Sequence, residues 1–251
     1  NLPHSALSKS LAPCIDHGSV YPFRFVMKKF LLLSLVALFG AFVVRAEVSR
    51  ADLVDRIETC EAILEEFQSR RDTAIPAAVL RQAKAIVIVN QFKAGLLIGV
   101  KDGYGVLMVK NEQGRWSLPV LINAGEASLG LQVGASAIES VYVITDVNTP
   151  RLLFKQRFNI GVDAKAIIGP KAAETERYSA EILRTPMLLY TKSAGLYAGA
   201  TVKAGHLSRN DKGNFLLYNT KYTMPELLYS DWVQPPAEVQ PLMALVQRLA
   251  P

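Results

Sequence analysis

The stretch from Ala83 to Gly134 decides the fold: AKAIVIVNQFKAGLLIGVKDGYGVLMVKNEQGRWSLPVLINAGEASLGLQVG. It alternates short apolar runs with glycine-containing breaks, which is typical of antiparallel strands joined by tight connections. The run 85–89 predicts a buried strand. A hairpin-type turn is predicted at 101–103 and a second turn at 111–114, with a strand between them. We therefore expect an antiparallel, glycine-rich sheet or a partly closed β-barrel.

Helices are expected to flank this sheet, which makes the fold class α+β. In the segment 49–71, apolar residues recur at alternating spacings of four and three, which places them on one stripe of a helix, and Ser49 with Asp52 forms a near capping box. The stripe consists of Leu53, Ile57, Cys60, Leu64 and Phe67. A middle helix is predicted at 148–158, a strand at 214–222, and an amphipathic C-terminal helix around 242–249.

The first 46 residues are interpreted as a leader. Met27-Lys28-Lys29, the uncharged apolar run 30–44 and Val44-Arg45-Ala46 are typical of a signal peptide cleaved before Glu47; an uncleaved membrane anchor is the alternative. We interpret the chain as an over-extended gene start, a signal peptide, an amphipathic helix, a central domain, and a linker with a C-terminal helix (1–26, 27–46, 47–74, 75–232 and 233–251). Export to the periplasm or cell envelope is expected.

Charge and residue types argue against several functional classes. Five of the 28 basic residues and one of the 22 acidic residues precede Glu47, so the remainder carries a net charge of only +2. Such a small surplus does not support nucleic-acid binding. After Glu47 the chain has one cysteine, Cys60, and one histidine, His206. Internal disulfides and zinc sites of His and Cys are thereby excluded, and nucleophile-elbow and phosphate-loop motifs are missing. We predict no catalytic residue, no metal and no cofactor, with Cys60 buried in the core and His206 at the surface.

A series of short blocks between Ile75 and Tyr229 resembles the SYLF domain family. Ile75-Pro76, Leu80 and Ala83-Lys84 are similar to the motif that opens the family's domain, although Ala85 replaces the usual glycine. Later blocks, in the same order as in the family, include Tyr190 to Gly199. Their signature residues, which we interpret as structural, are Gly95, Gly103, Gly105, Gly114, Trp116, Pro119, Gly130, Gly134, Gly169, Pro170, Gly195 and Gly199.

This resemblance implies a non-enzymatic domain that binds phosphoinositides, other anionic lipids or a membrane surface. The family occurs in eukaryotic proteins linked to membranes and cortical actin and in exported bacterial proteins, and the chain is interpreted as one of the exported type. Its yeast members also bind actin filaments, an activity that we do not expect of an exported chain.

The candidate lipid site follows the glycine-rich stretch. On the predicted helix 148–158, Arg151 and Lys155 form one i,i+4 pair, and Phe154 and Phe158 form another, so cations and aromatic rings each make a short stripe, with Arg157 beside them. The alternative is a core-packing helix with a solvated basic side. Lys93, Trp116 and Lys192 are second candidates because they lie in the signature blocks, although Trp116 is expected to lie in the core.

Two other functions stay open. An envelope structural or protein-interaction module would form a homo-oligomer through the 53–67 stripe or the C-terminal helix. A pocket inside a partly closed barrel would make the protein a carrier of a fatty acid or a similar ligand.

Overall fold

The computed structural model describes residues 47–95, 98–129, 134–155, 157–160, 163, 166–168, 185–194 and 205–251. The described strands are β1 (Ala85–Gly95), β2 (Ile98–Val109), β3 (Val120–Leu129), β4 (Gly134–Ile144), β5 (Phe158–Asn159), β6 (Ala166–Ile168), β7 (Met187–Ala194) and β8 (His206–Arg209). The described helices are α1 (Arg50–Ser69), α2 (Ala77–Leu80), α3 (Thr149–Leu152), α4 (Asp211–Tyr218), α5 (Met224–Tyr229) and α6 (Gln240–Leu249), the last preceded by a 3-10 turn at Ala237–Val239.

The strands form one curled sheet in the order β5-β8-β3-β2-β1-β4-β7-β6. All neighbours are antiparallel except β6 and β7. The long strands β1 to β4 form the centre of the sheet. In one half of each strand, which includes the run 85–89 of β1, residues on both faces are buried, and this explains why the run is continuously apolar. The predicted fold class, α+β with an antiparallel glycine-rich sheet or partly closed barrel, is confirmed.

Helix α1 packs on this sheet as its stripe predicts. All five predicted stripe residues are buried, together with Ile63. The capping box is complete: the Ser49 amide donates to the Asp52 carboxylate at 2.8 Å, and the Asp52 amide donates to the Ser49 hydroxyl at 3.2 Å. Such a cap contributes about 1 kcal/mol, and each large apolar side chain that is fully buried contributes about 1.5–3 kcal/mol. Packing therefore holds this helix far more strongly than its cap does.

The hairpin turn predicted at 101–103 is wrong, because β2 runs straight through it. Gly103 pairs with Gln91 and Gly105 with Val89 in the middle of the β1–β2 ladder. A Cβ at Gly105 would lie 2.2 Å from the carbonyl oxygen of Ile88. The glycine is therefore needed for close approach of two backbones, and not for a turn. The turn predicted at 111–114 is confirmed, with Gly114 at φ +75°.

The helix predicted at 148–158 is also wrong, since α3 ends at Leu152 and Phe158 begins β5. Phe158 is fully buried and pairs with Leu207 of β8. The i,i+4 spacing of Phe154 and Phe158 suggests a helix, but pairing with β8 places Phe158 in a strand.

The strand predicted at 214–222 is wrong: residues 214–218 belong to helix α4, and 219–222 follow its end. Asn210 caps this helix by accepting a 3.0 Å hydrogen bond from the Gly213 amide, and Asn219 ends it in the left-handed conformation at φ 48°. The buried residues Asn214, Leu217 and Tyr218 recur at helical spacing. A short apolar run satisfies both the helical and the strand period, so the sequence pattern alone does not distinguish the two here.

The predicted C-terminal helix is confirmed as α6, with Leu242, Leu245 and Val246 buried. It belongs to the same compact unit as the sheet, which extends from Val48 to Pro251. No described helix is long and apolar enough to cross a membrane. Several predictions fall outside the described residues: the leader, Gly130, Gly169, Pro170, Gly195 and Gly199.

Candidate functional site: an aromatic and basic surface

Four aromatic side chains form two contacting pairs near α3 and α5. The rings of Phe154 and Tyr229 meet edge to face, with centroids 5.8 Å apart, and those of Tyr222 and Trp232 are tilted at a centroid distance of 5.2 Å. Tyr229 and Trp232 are three residues apart, so the two pairs are linked by at most ~10 Å of extended chain. With Arg151 and Lys155, these four residues are called the aromatic–basic surface below.

Local capping fixes the backbone that carries this surface. One carboxylate oxygen of Asp146 accepts hydrogen bonds from the Thr149 amide at 2.8 Å and from the Thr149 hydroxyl at 2.9 Å, which sets the start of α3. At α5, the Thr223 amide donates to the Glu226 carboxylate at 2.6 Å in a second capping box. The two short helices are thus held at defined positions on the chain.

A cation from β8 ties α3 to the sheet. Arg209 donates to the Phe154 carbonyl oxygen at 3.4 Å, and its guanidinium forms a 2.5 Å ion pair with Asp211. Phe154 is consequently anchored through its backbone, while its half-buried ring rests against Tyr229. These contacts attach the aromatic–basic surface to the sheet.

The outer side of this surface is both apolar and cationic. Tyr229 is 48% exposed and Trp232 is 59% exposed, which is unusual for side chains of this size. Arg151 and Lys155 are exposed as well. Partial burial raises the pKa of the Tyr229 phenol, and the charge of Arg151 and its hydrogen bond to that phenol partly offset the rise. The Arg151 side chain therefore lies near the Tyr229 phenol.

The structure brings together only part of the site predicted from the sequence. Arg151, Phe154 and Lys155 lie in one short segment, but the i,i+4 stripes do not exist because the helix ends before Phe154. Phe158 is fully buried in β5 and has no exposed surface to offer. Arg157 is exposed, and its Nε lies 3.2 Å from Asn159 Oδ1.

The second candidates lie elsewhere. Lys192 Nζ donates to the Glu66 carboxylate and lies 3.7 Å from Glu139 Oε2. The hydrogen bond to Glu66 is the main reason that the pKa of Lys192 is raised. This lysine holds α1 to the sheet, with its charge compensated. Lys93 belongs to β1, opposite Lys101 of β2.

Sequence reasoning missed Tyr222, Tyr229 and Trp232. Tyr222 falls at the end of the predicted strand 214–222, and the sequence pattern assigns no binding role to Tyr229 or Trp232. The available signal was the density of aromatic residues in 222–232, but only the folded chain shows that two of them are exposed.

Cys60 and His206 are the residues considered for nucleophilic or basic chemistry, and both pack within the fold. Cys60 is fully buried, as predicted, and this burial raises the pKa of its thiol to about 12. The His206 ring covers Gly125, where a Cβ would lie 2.7 Å from the ring, and burial followed by the charge of Arg157 lowers the pKa of His206. Within the described ranges, no three His, Cys, Asp or Glu side chains are grouped as metal ligands.

Comparisons with known proteins agree on one family. The model of the Ysc84 family, described as "Las17-binding protein actin regulator", matches residues 125–249. LAS seventeen-binding protein 3 of Saccharomyces cerevisiae is 26% identical over 182 residues, which cover 71% of this chain and 39% of that protein. An SH3 domain-containing protein of Schizosaccharomyces pombe is 28% identical over 188 residues, covering 72% of this chain and 44% of its own.

The human relative, SH3 domain-containing YSC84-like protein 1, is 24% identical over 191 residues, which cover 74% of this chain and 56% of the relative. The matched region thus spans between about two fifths and just over half of these relatives. No solved structure matches the chain. Given the match to the family model and these relatives, the chain belongs to the Ysc84, or SYLF, family.

Proposed function

We propose that the aromatic–basic surface binds an anionic lipid membrane, and that the chain works by binding and not by catalysis. The observation that carries the proposal is the exposure of Trp232 and Tyr229 beside Arg151 and Lys155. Trp and Tyr favour the interface between hydrocarbon and water, because each combines an apolar ring with a polar group. Each Lys or Arg near an anionic surface adds roughly 1 kcal/mol, which falls with salt.

One of the two other functions considered from the sequence is assembly through amphipathic helices, and the apolar residues that it would use are buried. The 53–67 stripe is buried against the sheet, and so are Leu242, Leu245 and Val246 of α6. A homo-oligomer formed through either helix would have to open the core of each copy. This observation favours a binding function carried by the exposed aromatic residues.

Export and location belong to the same proposal. The segment 27–46 acts as a signal peptide, and the mature protein starts at Glu47 in the periplasm or cell envelope. The relatives' names refer to Las17 and SH3 domains, and the family description refers to actin regulation. In an exported chain we expect the lipid surface to be the partner, and actin filaments to be left unbound in a co-pelleting assay.

The test is co-sedimentation of the full chain with phosphatidylcholine vesicles that contain or lack phosphatidylserine. Every variant carries the same leader, so differences between variants report on the surface alone. We expect a preference for the anionic vesicles that weakens in high salt. The variants Arg151→Glu/Lys155→Glu and Tyr229→Ala/Trp232→Ala should each lower binding roughly tenfold or more.

Matched controls lie elsewhere on the chain. Arg115→Glu reverses an exposed cation on the turn before β3, and Phe92→Ala removes an exposed aromatic ring from β1. Both should bind vesicles like the unaltered chain. Equal losses in the controls and in the surface variants, or binding that ignores anionic lipid, would contradict the proposal. Thermal unfolding of each variant separates loss of binding from loss of structure.

A further inference from the structure

Helix α1 carries a row of carboxylates on the side that points away from its buried stripe. Asp55, Glu58 and Glu65 are exposed, and Glu61 is half-buried among them. Their spacings of three and four residues place them on one face of the helix, with neighbouring side chains about 5–6 Å apart. We call these four residues the acidic face.

The fold does not use the acidic face. Glu66, the next acid along the helix, is bonded to Lys192, but no ion pair among the described residues involves the acidic face itself. All four residues lie beyond the first turn, where negative charge would stabilise the helix. Burial and then the charges of Glu65 and Glu58 raise the pKa of Glu61, so these carboxylates repel one another. A cationic partner would relieve this repulsion.

The aromatic–basic surface presents cations in a similarly compact form. The Phe154 amide donates to the Arg151 carbonyl oxygen at 3.2 Å, and the Lys155 amide donates to the Leu152 carbonyl oxygen at 3.3 Å, so the chain continues in tight turns after α3. In the part of the chain that the structure describes, neither cation has an ion-pair partner. Arginine and large aromatic residues are enriched at protein–protein interfaces, so this surface also has the composition of an interface.

We propose that the aromatic–basic surface of one copy of this chain binds the acidic face of a second copy. The carboxylates pair with Arg151 and Lys155, while the exposed rings of Tyr229 and Trp232 pack on the aliphatic stems of the acids and on Ala62, which is exposed among them. The two surfaces have opposite charge, which favours this orientation over any contact between like surfaces. Since the buried stripe lies on another side of α1, the core stays closed in both copies.

This contact would regulate membrane binding, because it covers the residues that we propose to bind vesicles. The regulation rests on the function proposed above, whereas the association itself does not. The outer side of α1, 20 residues in length, measures about 30 Å by 10 Å, so it offers less than the ~800 Å² that each partner buries in a stable complex. We therefore expect a weak association that is lost on dilution and in high salt.

The test of the association is sedimentation velocity of the full chain over a range of protein concentrations, in low and in high salt. Glu58→Lys/Glu65→Lys and Arg151→Glu/Lys155→Glu should each weaken the association roughly tenfold or more, because each places like charges opposite each other. All four changes in one chain reverse both surfaces and should restore the association.

The control Lys84→Glu/Arg115→Glu reverses two exposed cations elsewhere and should associate like the unaltered chain. Every variant carries the same leader, so association through the leader would not distinguish them. Thermal unfolding checks that each variant folds, and Glu58→Gln/Glu65→Gln gives a milder change that should weaken the association in the same direction. The inference is overturned if the unaltered chain does not associate, if the control loses as much as the other variants, or if the fourfold change restores nothing.

A competition experiment tests the regulation. Labelled unaltered chain is bound to phosphatidylserine vesicles, and an excess of unlabelled Tyr229→Ala/Trp232→Ala is added. This variant keeps its acidic face, so it should displace the labelled chain, whereas the same variant with Glu58→Lys/Glu65→Lys should not. Displacement by both or by neither would contradict the regulation. If the labelled chain binds no vesicles at all, the function proposed above fails, and sedimentation still decides whether the two surfaces associate.

Discussion

The indole Nε1 of Trp116 donates a 2.8 Å hydrogen bond to the carbonyl oxygen of Ala250. This contact joins the segment before β3 to the end of α6, although 134 residues separate the two in sequence. The ring is buried, and Lys110 Nζ lies 5.8 Å from its centroid while also bonding to the Pro251 carbonyl oxygen. A residue identified from the sequence as structural thus owes that role to the docking of the C-terminal helix.

Trp116→Phe should lower the free energy of unfolding by about 1–2 kcal/mol. Phenylalanine keeps most of the buried ring but leaves the Ala250 carbonyl without its donor. Urea denaturation measures the difference, and Trp232→Phe, at an exposed position, should change it by less than ~0.5 kcal/mol. An equal loss at both positions would mean that the bond to Ala250 contributes nothing to stability.

Two glycines should respond to alanine in different ways. At Gly105 the added Cβ would lie 2.2 Å from the Ile88 carbonyl oxygen, in the middle of a ladder that cannot move, so we expect a loss of more than about 2 kcal/mol. At Gly114 nothing lies within 4 Å, and only the positive φ opposes a side chain, which costs about 1 kcal/mol. Thermal or urea unfolding of both variants tests this order, and the reverse order would contradict it.

Acid should weaken the fold through its two capping boxes. Hydrogen bonds from the Ser49 backbone and hydroxyl lower the pKa of Asp52, and those from Thr223 lower the pKa of Glu226. A carboxyl whose pKa is lower in the folded chain stabilises it above the unfolded pKa, and this stability is lost as pH falls through the folded pKa. The urea midpoint should therefore drop below about pH 4–5, with a smaller drop in Asp52→Asn than in the exposed control Asp55→Asn.

Cys60 should be unreactive in the folded chain. Burial raises the pKa of its thiol to about 12, so almost no thiolate forms at pH 8, and alkylating reagents cannot reach it. In a Cys14→Ser background, mass spectrometry should show iodoacetamide labelling only as urea unfolds the chain. Fast labelling without denaturant would show that α1 separates from the sheet under native conditions.

Periodicity predicted the elements whose burial is regular, and it failed where a tertiary partner decided the conformation. The α1 stripe, the strand after Ala85 and α6 could be found because one face of each is apolar. Phe158 shows the limit: its spacing suits a helix, yet pairing with β8 buries it in a strand. The candidate site was predicted least well. The exposure of Trp232 and Tyr229 depends on how distant segments pack, and residue spacing does not encode that packing.

Lys192 has one role in the sequence-based prediction and another in the fold. Its place in a signature block made it a lipid candidate, but in the fold it is bonded to Glu66 and lies 3.7 Å from Glu139. Lys192→Gln should therefore leave vesicle binding unchanged and lower stability by up to ~1 kcal/mol, since the pair with Glu66 is partly screened by solvent. The loss should shrink in a Glu66→Gln background, because the double variant leaves no unpaired charge between them. If vesicle binding falls instead, with stability unchanged, Lys192 contacts lipid and its pairing with α1 must open when the membrane binds.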